Sequence, residues 1–146
     1  MKKRIFYSIL PILGGTLIGL IIGGYMNYET LIKPPFAPPP ILFPIAWTIL
    51  YILMGISYFL ATKEEEKEFD RLYLLQLFLN LFWPIIFFVL KMYWAAFLWL
   101  LLLLYTVVLW WKELKQKNKI STYLQIPYLL WLCFAAYLNL GISILN

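Results

Sequence analysis

The chain has 146 residues, of which 64% are hydrophobic and 13% charged, and its mean hydropathy is +0.82. A water-soluble domain of that composition would expose more apolar area than its polar residues could cover, so the membrane class comes first. The formal charge of +5 does not point to nucleic acid, because the basic residues fall in short segments between apolar spans, where they read as topology signals.

Histidine is absent and Cys133 is the one cysteine. Disulfides within the chain and zinc sites of the usual Cys/His kinds are therefore excluded. The commonest axial ligand of haem iron is missing too, so no metal site is expected and no cofactor is required. Cys133 lies mid-span and reads as a small buried hydrophobe.

Residues 1–4 are basic, and 5–26 form an uncharged apolar span. It is too long for the apolar region of a signal peptide and no small-residue cleavage site follows, so it reads as a retained membrane helix. Gly15, Gly19 and Gly23 recur every fourth residue. In lipid such a stripe lets another backbone approach, within the chain or in a second subunit, and marks a helix-packing face.

Residues 27–42 form a loop stiffened by Pro34, Pro35, Pro38, Pro39 and Pro40, each holding φ near one value. A loose tether needs no such composition, so the loop reads as a lid. Four more spans follow, at 43–62, 72–90, 93–111 and 121–145. Each is long enough to cross a hydrocarbon core of about 30 Å as a helix. The expected fold is an all-α membrane protein, one domain over 1–146 with five transmembrane helices. Strand-type alternation is lacking. The charged connection at 63–71 reads as a solvated face. Pro84 and Pro127 bend or start helices.

With the N-terminus inside, ten of the twelve Lys and Arg residues fall on the cytoplasmic side, leaving Lys33 and Lys91 opposite. The positive-inside rule then puts the N-terminus in the cytoplasm, and the proline loop and the C-terminus outside.

Polar side chains inside membrane helices usually face the bundle interior. Gln76, Asn80, Trp83 and Phe87 share one face of the third span. Trp131, Ala135 and Asn139, with Leu138 beside them, share a face of the fifth, and Trp47, Tyr51, Met54 and Tyr58 one of the second. The amides could serve as interhelical glue, worth about 0.6–2 kcal/mol each. Trp94, Trp110 and Trp111, near span ends, read as interface anchors. Trp47, Trp83 and Trp131 fit a pocket better, with Ala135 leaving room beside a ring. Such a pocket suits a flat, largely apolar ligand. The spans carry no carboxylate, no Ser–Lys or Cys–His pairing and no phosphate loop, so no conventional catalytic group emerges.

One pattern covers most of the chain in order. It runs Tyr28-x-x-Leu31-x-Lys33-Pro34-x-Phe36-x-Pro38-Pro39-x-x-x-Phe43-x-x-x-Trp47, then Leu50-Tyr51-x-x-Met54-Gly55. It continues with Gln76-x-x-x-Asn80-x-x-Trp83 and Pro127-Tyr128-x-x-Trp131-x-x-Phe134-Ala135-x-x-Leu138-Asn139. This resembles the TspO/MBR family, the tryptophan-rich sensory proteins that include the mitochondrial translocator protein. The resemblance implies a five-helix bundle, often a homodimer, in a bacterial plasma membrane. It implies a porphyrin ligand such as protoporphyrin IX, and benzodiazepine-like or isoquinoline carboxamide drugs, in a sensor, receptor or transport role. Carried over, Trp47, Tyr51, Asn80, Trp83, Phe87, Trp131, Ala135 and Leu138 would line the pocket, and Lys33, Pro34, Phe36, Pro38 and Pro39 would form the lid. Phe36 and Asn27 stand where the family often has Trp. No Lys or Arg follows Asn139, so the sterol-recognition pattern of animal members is missing there. The alternative is a light-dependent porphyrin-degrading enzyme with Trp47 and Trp131 as reacting rings. A small-molecule exporter fits less well, because proton coupling usually needs a carboxylate within the membrane.

Overall fold

Hydrocarbon offers the backbone no hydrogen-bond partner, so a spanning segment must satisfy its own N–H and C=O groups. In the computed structural model, which describes residues 1–62 and 66–146, this is met by five long apolar helices. They are α1 (Lys2–Ile22), α2 (Leu42–Ala61), α3 (Lys67–Val89), α4 (Tyr93–Lys117) and α5 (Lys119–Leu145). Among the described residues no strand is present.

The bounds depart from the expected spans in instructive ways. α1 stops at Ile22, where Gly23 and Gly24 enter a turn. α3 starts at Lys67, so part of the expected solvated face is helix, and Asp70 becomes a buried member of it. Lys63 lies outside the described residues. α4 runs on through Lys112 and Lys115 to Lys117, where cations suit the negative end of the helix dipole. Asn118 alone connects it to α5, and its side chain accepts a bond of 2.9 Å from the Ser121 N–H to cap the new helix. α5 is interrupted at Gln125 and resumes at Ile126 with Pro127 in the first turn, where a missing N–H costs nothing.

α3 pairs with α4, α4 with the long part of α5, and α1 with α2. The α1–α2 crossing is close because Gly55 has no side chain. A Cβ there would collide with the Ser8 carbonyl. This is the small-residue crossing, and not the expected stripe. Gly15 accommodates the Tyr51 ring, Gly19 has nothing within 4 Å, and a Cβ on Gly23 would meet its own helix's carbonyl at 3.3 Å. Two more expectations change. Cys133 is exposed on the outer surface of α5. Trp110 is wholly buried beside Tyr73, ring centroids 5.4 Å apart, while Trp94 is exposed.

The end of the bundle that holds the N-terminus is closed by polar contacts. Asp70 accepts a bond of 2.7 Å from the Tyr58 hydroxyl and pairs with Lys3 at 2.6 Å. Arg4 donates to the Phe59 carbonyl, and Lys117 pairs with Glu66. Ser121 donates to the Ser57 carbonyl at 2.8 Å and Gln125 to the Ser57 hydroxyl at 2.7 Å, joining α2 to the start of α5. Beyond Gln125 the two helices separate: α2 packs on 119–124 but has little backbone contact with 126–145.

The glycines give a paired prediction. Gly55→Ala should cost about 1–3 kcal/mol through overpacking and lower the thermal midpoint in detergent. Gly19→Ala, with open space at its Cβ, should not lower it. Equal midpoints for the two variants would refute this account of the crossing.

Candidate functional site

Where α2 and α5 part, a cavity of about 810 Å³ opens beneath the loop. α2 contributes Trp47 and Tyr51, α3 Trp83 and Phe87, and α5 Trp131, Ala135 and Leu138. These seven of the eight expected pocket residues therefore face one space. The Trp47 and Trp131 rings stand perpendicular, centroids 6.2 Å apart, and Trp47 stacks on Tyr51 at 5.6 Å.

Asn80, the eighth, does not line the cavity. It sits behind Tyr51 as the hub of a buried chain of hydrogen bonds. Tyr51 donates to Asn80 Oδ1 at 2.7 Å, Asn80 Nδ2 to the Tyr128 hydroxyl at 2.8 Å, and Tyr128 to Gln76 Oε1 at 2.9 Å. Gln76 Nε2 then donates to the Tyr73 carbonyl at 3.0 Å, and the Tyr73 hydroxyl reaches the Tyr7 carbonyl at 2.6 Å. Four helices are tied together behind the cavity floor. On the far wall Trp83 Nε1 donates to Asn139 Oδ1 at 2.9 Å, while Asn139 Nδ2 donates to the Tyr93 carbonyl at 2.9 Å.

Pro84 and the π-helical turn Ile85–Val89 close α3. Widening the turn sets Phe88 against Trp83, centroids 6.4 Å apart, and brings both Phe87 and Phe88 to the cavity. Such turns recur at functional sites. Spacing by 3.6 residues finds only Phe87.

The loop covers the cavity with residues other than those expected. Tyr28, Glu29, Pro40 and Ile41 form its inner surface. Lys33, Pro34, Phe36, Pro38 and Pro39 do not line the space and instead hold the loop's shape. The Tyr28 hydroxyl donates to the Pro38 carbonyl at 2.8 Å, and burial pushes its pKa up. Phe36 adopts a positive φ of 68° and is 88% exposed, so it turns away from the cavity. Left-handed backbone at a residue with a Cβ costs about 1–2 kcal/mol. The loop is held to α5 at three places. Asn146 bonds both the N–H (3.1 Å) and the carbonyl (2.7 Å) of Ile32, Tyr137 donates to the Pro35 carbonyl at 2.6 Å, and Pro34 packs on Gly141.

Polar and aromatic spacing does not single out α1, yet that helix supplies Ile12, Gly15, Thr16, Ile18, Gly19 and Ile22 to the wall. The glycine stripe was the available signal. Within the chain it marks where the Tyr51 ring and the cavity need room, not where another helix backbone approaches.

Comparison with known proteins now decides the family. The TspO/MBR family model matches residues 7–145. The chain belongs to the TspO/MBR family. A tryptophan-rich protein TspO of Chlorobaculum tepidum is 39% identical over 82% of this chain and 78% of its own length. The translocator protein homolog of Schizosaccharomyces pombe is 33% identical over 95% and 89%, and the translocator protein of Ovis aries 34% identical over 91% and 83%. Membership of the TspO/MBR family and the five apolar helices identify an integral membrane protein.

The hydrogen-bonded chain gives a prediction. Asn80→Leu leaves the Tyr51 hydroxyl and the Tyr128 oxygen without their amide partner, each orphaned group costing about 1–3 kcal/mol. The thermal midpoint in detergent should fall, and fall further than for Asn146→Ala at the exposed loop clasp. An unaltered midpoint would show that the chain of bonds does not stabilise the bundle.

Proposed function

We propose that the cavity binds a tetrapyrrole, with protoporphyrin IX as the test ligand, and that the protein acts as a membrane sensor or carrier. Isoquinoline carboxamide and benzodiazepine-type drugs would occupy the same space. The observation that carries this reading is the wall itself: Trp47, Trp83, Phe87 and Trp131, from three helices, face one cavity of about 810 Å³. That volume lies within the roughly 300–1,000 Å³ of sites that bury drug-sized molecules. Aromatic faces stack on a planar macrocycle and edges pack against its rim. The lack of histidine suits a free-base macrocycle better than axially ligated haem. The name of one relative, translocator protein, agrees with a carrier role in the membrane.

In this reading the N-terminus is cytoplasmic, so the loop and the cavity open toward the outer face, in keeping with the distribution of Lys and Arg. A second reading, light-dependent degradation of the bound porphyrin, is favoured by the pairing of Trp47 and Trp131 on the cavity wall, rings 6.2 Å apart.

Protoporphyrin IX should quench the tryptophan fluorescence of the protein in detergent saturably. The Trp47→Phe/Trp131→Phe double variant should bind about tenfold more weakly, or about 1.4 kcal/mol. Unchanged affinity would argue against this cavity. Illuminating the bound complex in air and following the porphyrin absorption band separates the two readings. A stable band means a binder, whereas loss that disappears in Trp131→Phe means turnover.

A further inference from the structure

The wall of the cavity carries one ionised side chain among the described residues, and its charge is negative. Glu29, on the short 3-10 turn of the loop, is exposed and lines the space. None of the ion pairs of the described residues involves it. The cation close by in sequence, Lys33, does not line the space and forms no ion pair with Glu29 among the described residues. Its Nζ donates to the carbonyls of Tyr28 (2.9 Å), Leu31 (3.2 Å) and Glu29 (3.4 Å), and it lies 4.7 Å from the Tyr28 ring centre.

Apart from the Trp131 indole N–H, which is buried without a partner, several other polar groups of the wall are bonded within the protein. Thr16 and Thr48 donate to carbonyls of their own helix at 2.8 and 2.7 Å. Tyr51 is held by Asn80 and Trp83 by Asn139. A ligand therefore meets aromatic and aliphatic surface inside, and one free carboxylate where the loop crosses the cavity.

We propose that Glu29 sets the charge preference of this cavity, favouring planar ligands that are neutral or carry a cationic substituent at the loop end over those that present a carboxylate there. The proposal rests on the ligand-binding reading above and specifies its ligand class. The physical cause is Coulombic. A carboxylate placed beside Glu29 is repelled and an ammonium attracted; Lys33, which stays charged while donating to backbone carbonyls and does not line the wall, offsets part of this field. Because Glu29 is exposed, solvent keeps the effect to roughly threefold in affinity per ligand charge, and salt screens it.

The test uses three porphyrins that differ only at the side chains: protoporphyrin IX with its two carboxylates, its neutral dimethyl ester, and a diamide carrying a tertiary amine on each arm. Tryptophan quenching in neutral detergent gives their affinities for the full chain and for Glu29→Gln, with Glu29→Asp as the charge-conserving control. Glu29→Gln should tighten the dicarboxylate and weaken the diamine, each about threefold per charge felt. It should leave the ester unchanged, and 1 M salt should erase the differences. Glu29→Asp should behave like the parent. If the ester binds and all three porphyrins respond alike to Glu29→Gln, the charge proposal is overturned and the porphyrin reading stands. If the dicarboxylate binds and the ester does not, the charge proposal is overturned; if none of the three binds, the porphyrin reading fails. A neutral isoquinoline carboxamide and its aminoalkyl analogue then decide Glu29 in the same way, an equal response to Glu29→Gln overturning it.

Discussion

The contact on which the structure depends is the hydrogen bond from Tyr51 to Asn80 and the chain that continues from it through Tyr128 and Gln76. In a lipid-embedded bundle, burial of apolar side chains hardly distinguishes protein neighbours from acyl chains, so helix association depends on packing and polar contacts. These amides and phenols come from α2, α3 and α5, and the chain reaches α1 through Tyr73 and the Tyr7 carbonyl. Each member of this chain satisfies its neighbour, so these amides and phenols carry no penalty for orphaned groups. The same chain turns the Tyr51 hydroxyl away from the cavity and leaves its ring beside Trp47.

With the middle of the bundle fixed, its two ends differ. One is tied shut by Asp70, Arg4, Lys117 and the Ser57–Ser121–Gln125 contacts. At the other, α2 and the long part of α5 diverge, and the space left between them is walled by rings and covered by the loop. The cavity is thus a consequence of where the polar contacts between α2 and α5 stop. Pro84 and the π turn after it add a second aromatic side chain at the same level.

The loop does two jobs, with Tyr28 and Pro40 sharing in both. Its prolines, Lys33 and the Asn146 clasp hold the backbone in place, while Tyr28, Glu29, Pro40 and Ile41 face the space below. A rigid cover costs little ordering entropy when a ligand enters. Under the charge proposal, Glu29 on the inner side of the cover would also contribute to which ligands are accepted.

The sequence by itself determined the five spans, the family and the aromatic faces of α2, α3 and α5, because apolar length and helical spacing are properties of a segment alone. Trp47, Trp83 and Trp131 could be put on polar faces without knowing what stood opposite. What stood opposite was decided only in three dimensions. The glycine stripe of α1 is the same whether it meets a backbone, a Tyr51 ring or open space, and the tertiary structure chose the last two. Asn80 has the spacing of a wall residue but is screened by Tyr51. Phe36 sits in the lid motif yet points outward, because its positive φ reverses the chain there. Spacing along one helix records direction, whereas a cavity depends on the distance between helices, and that distance is set by polar contacts between residues far apart in the chain.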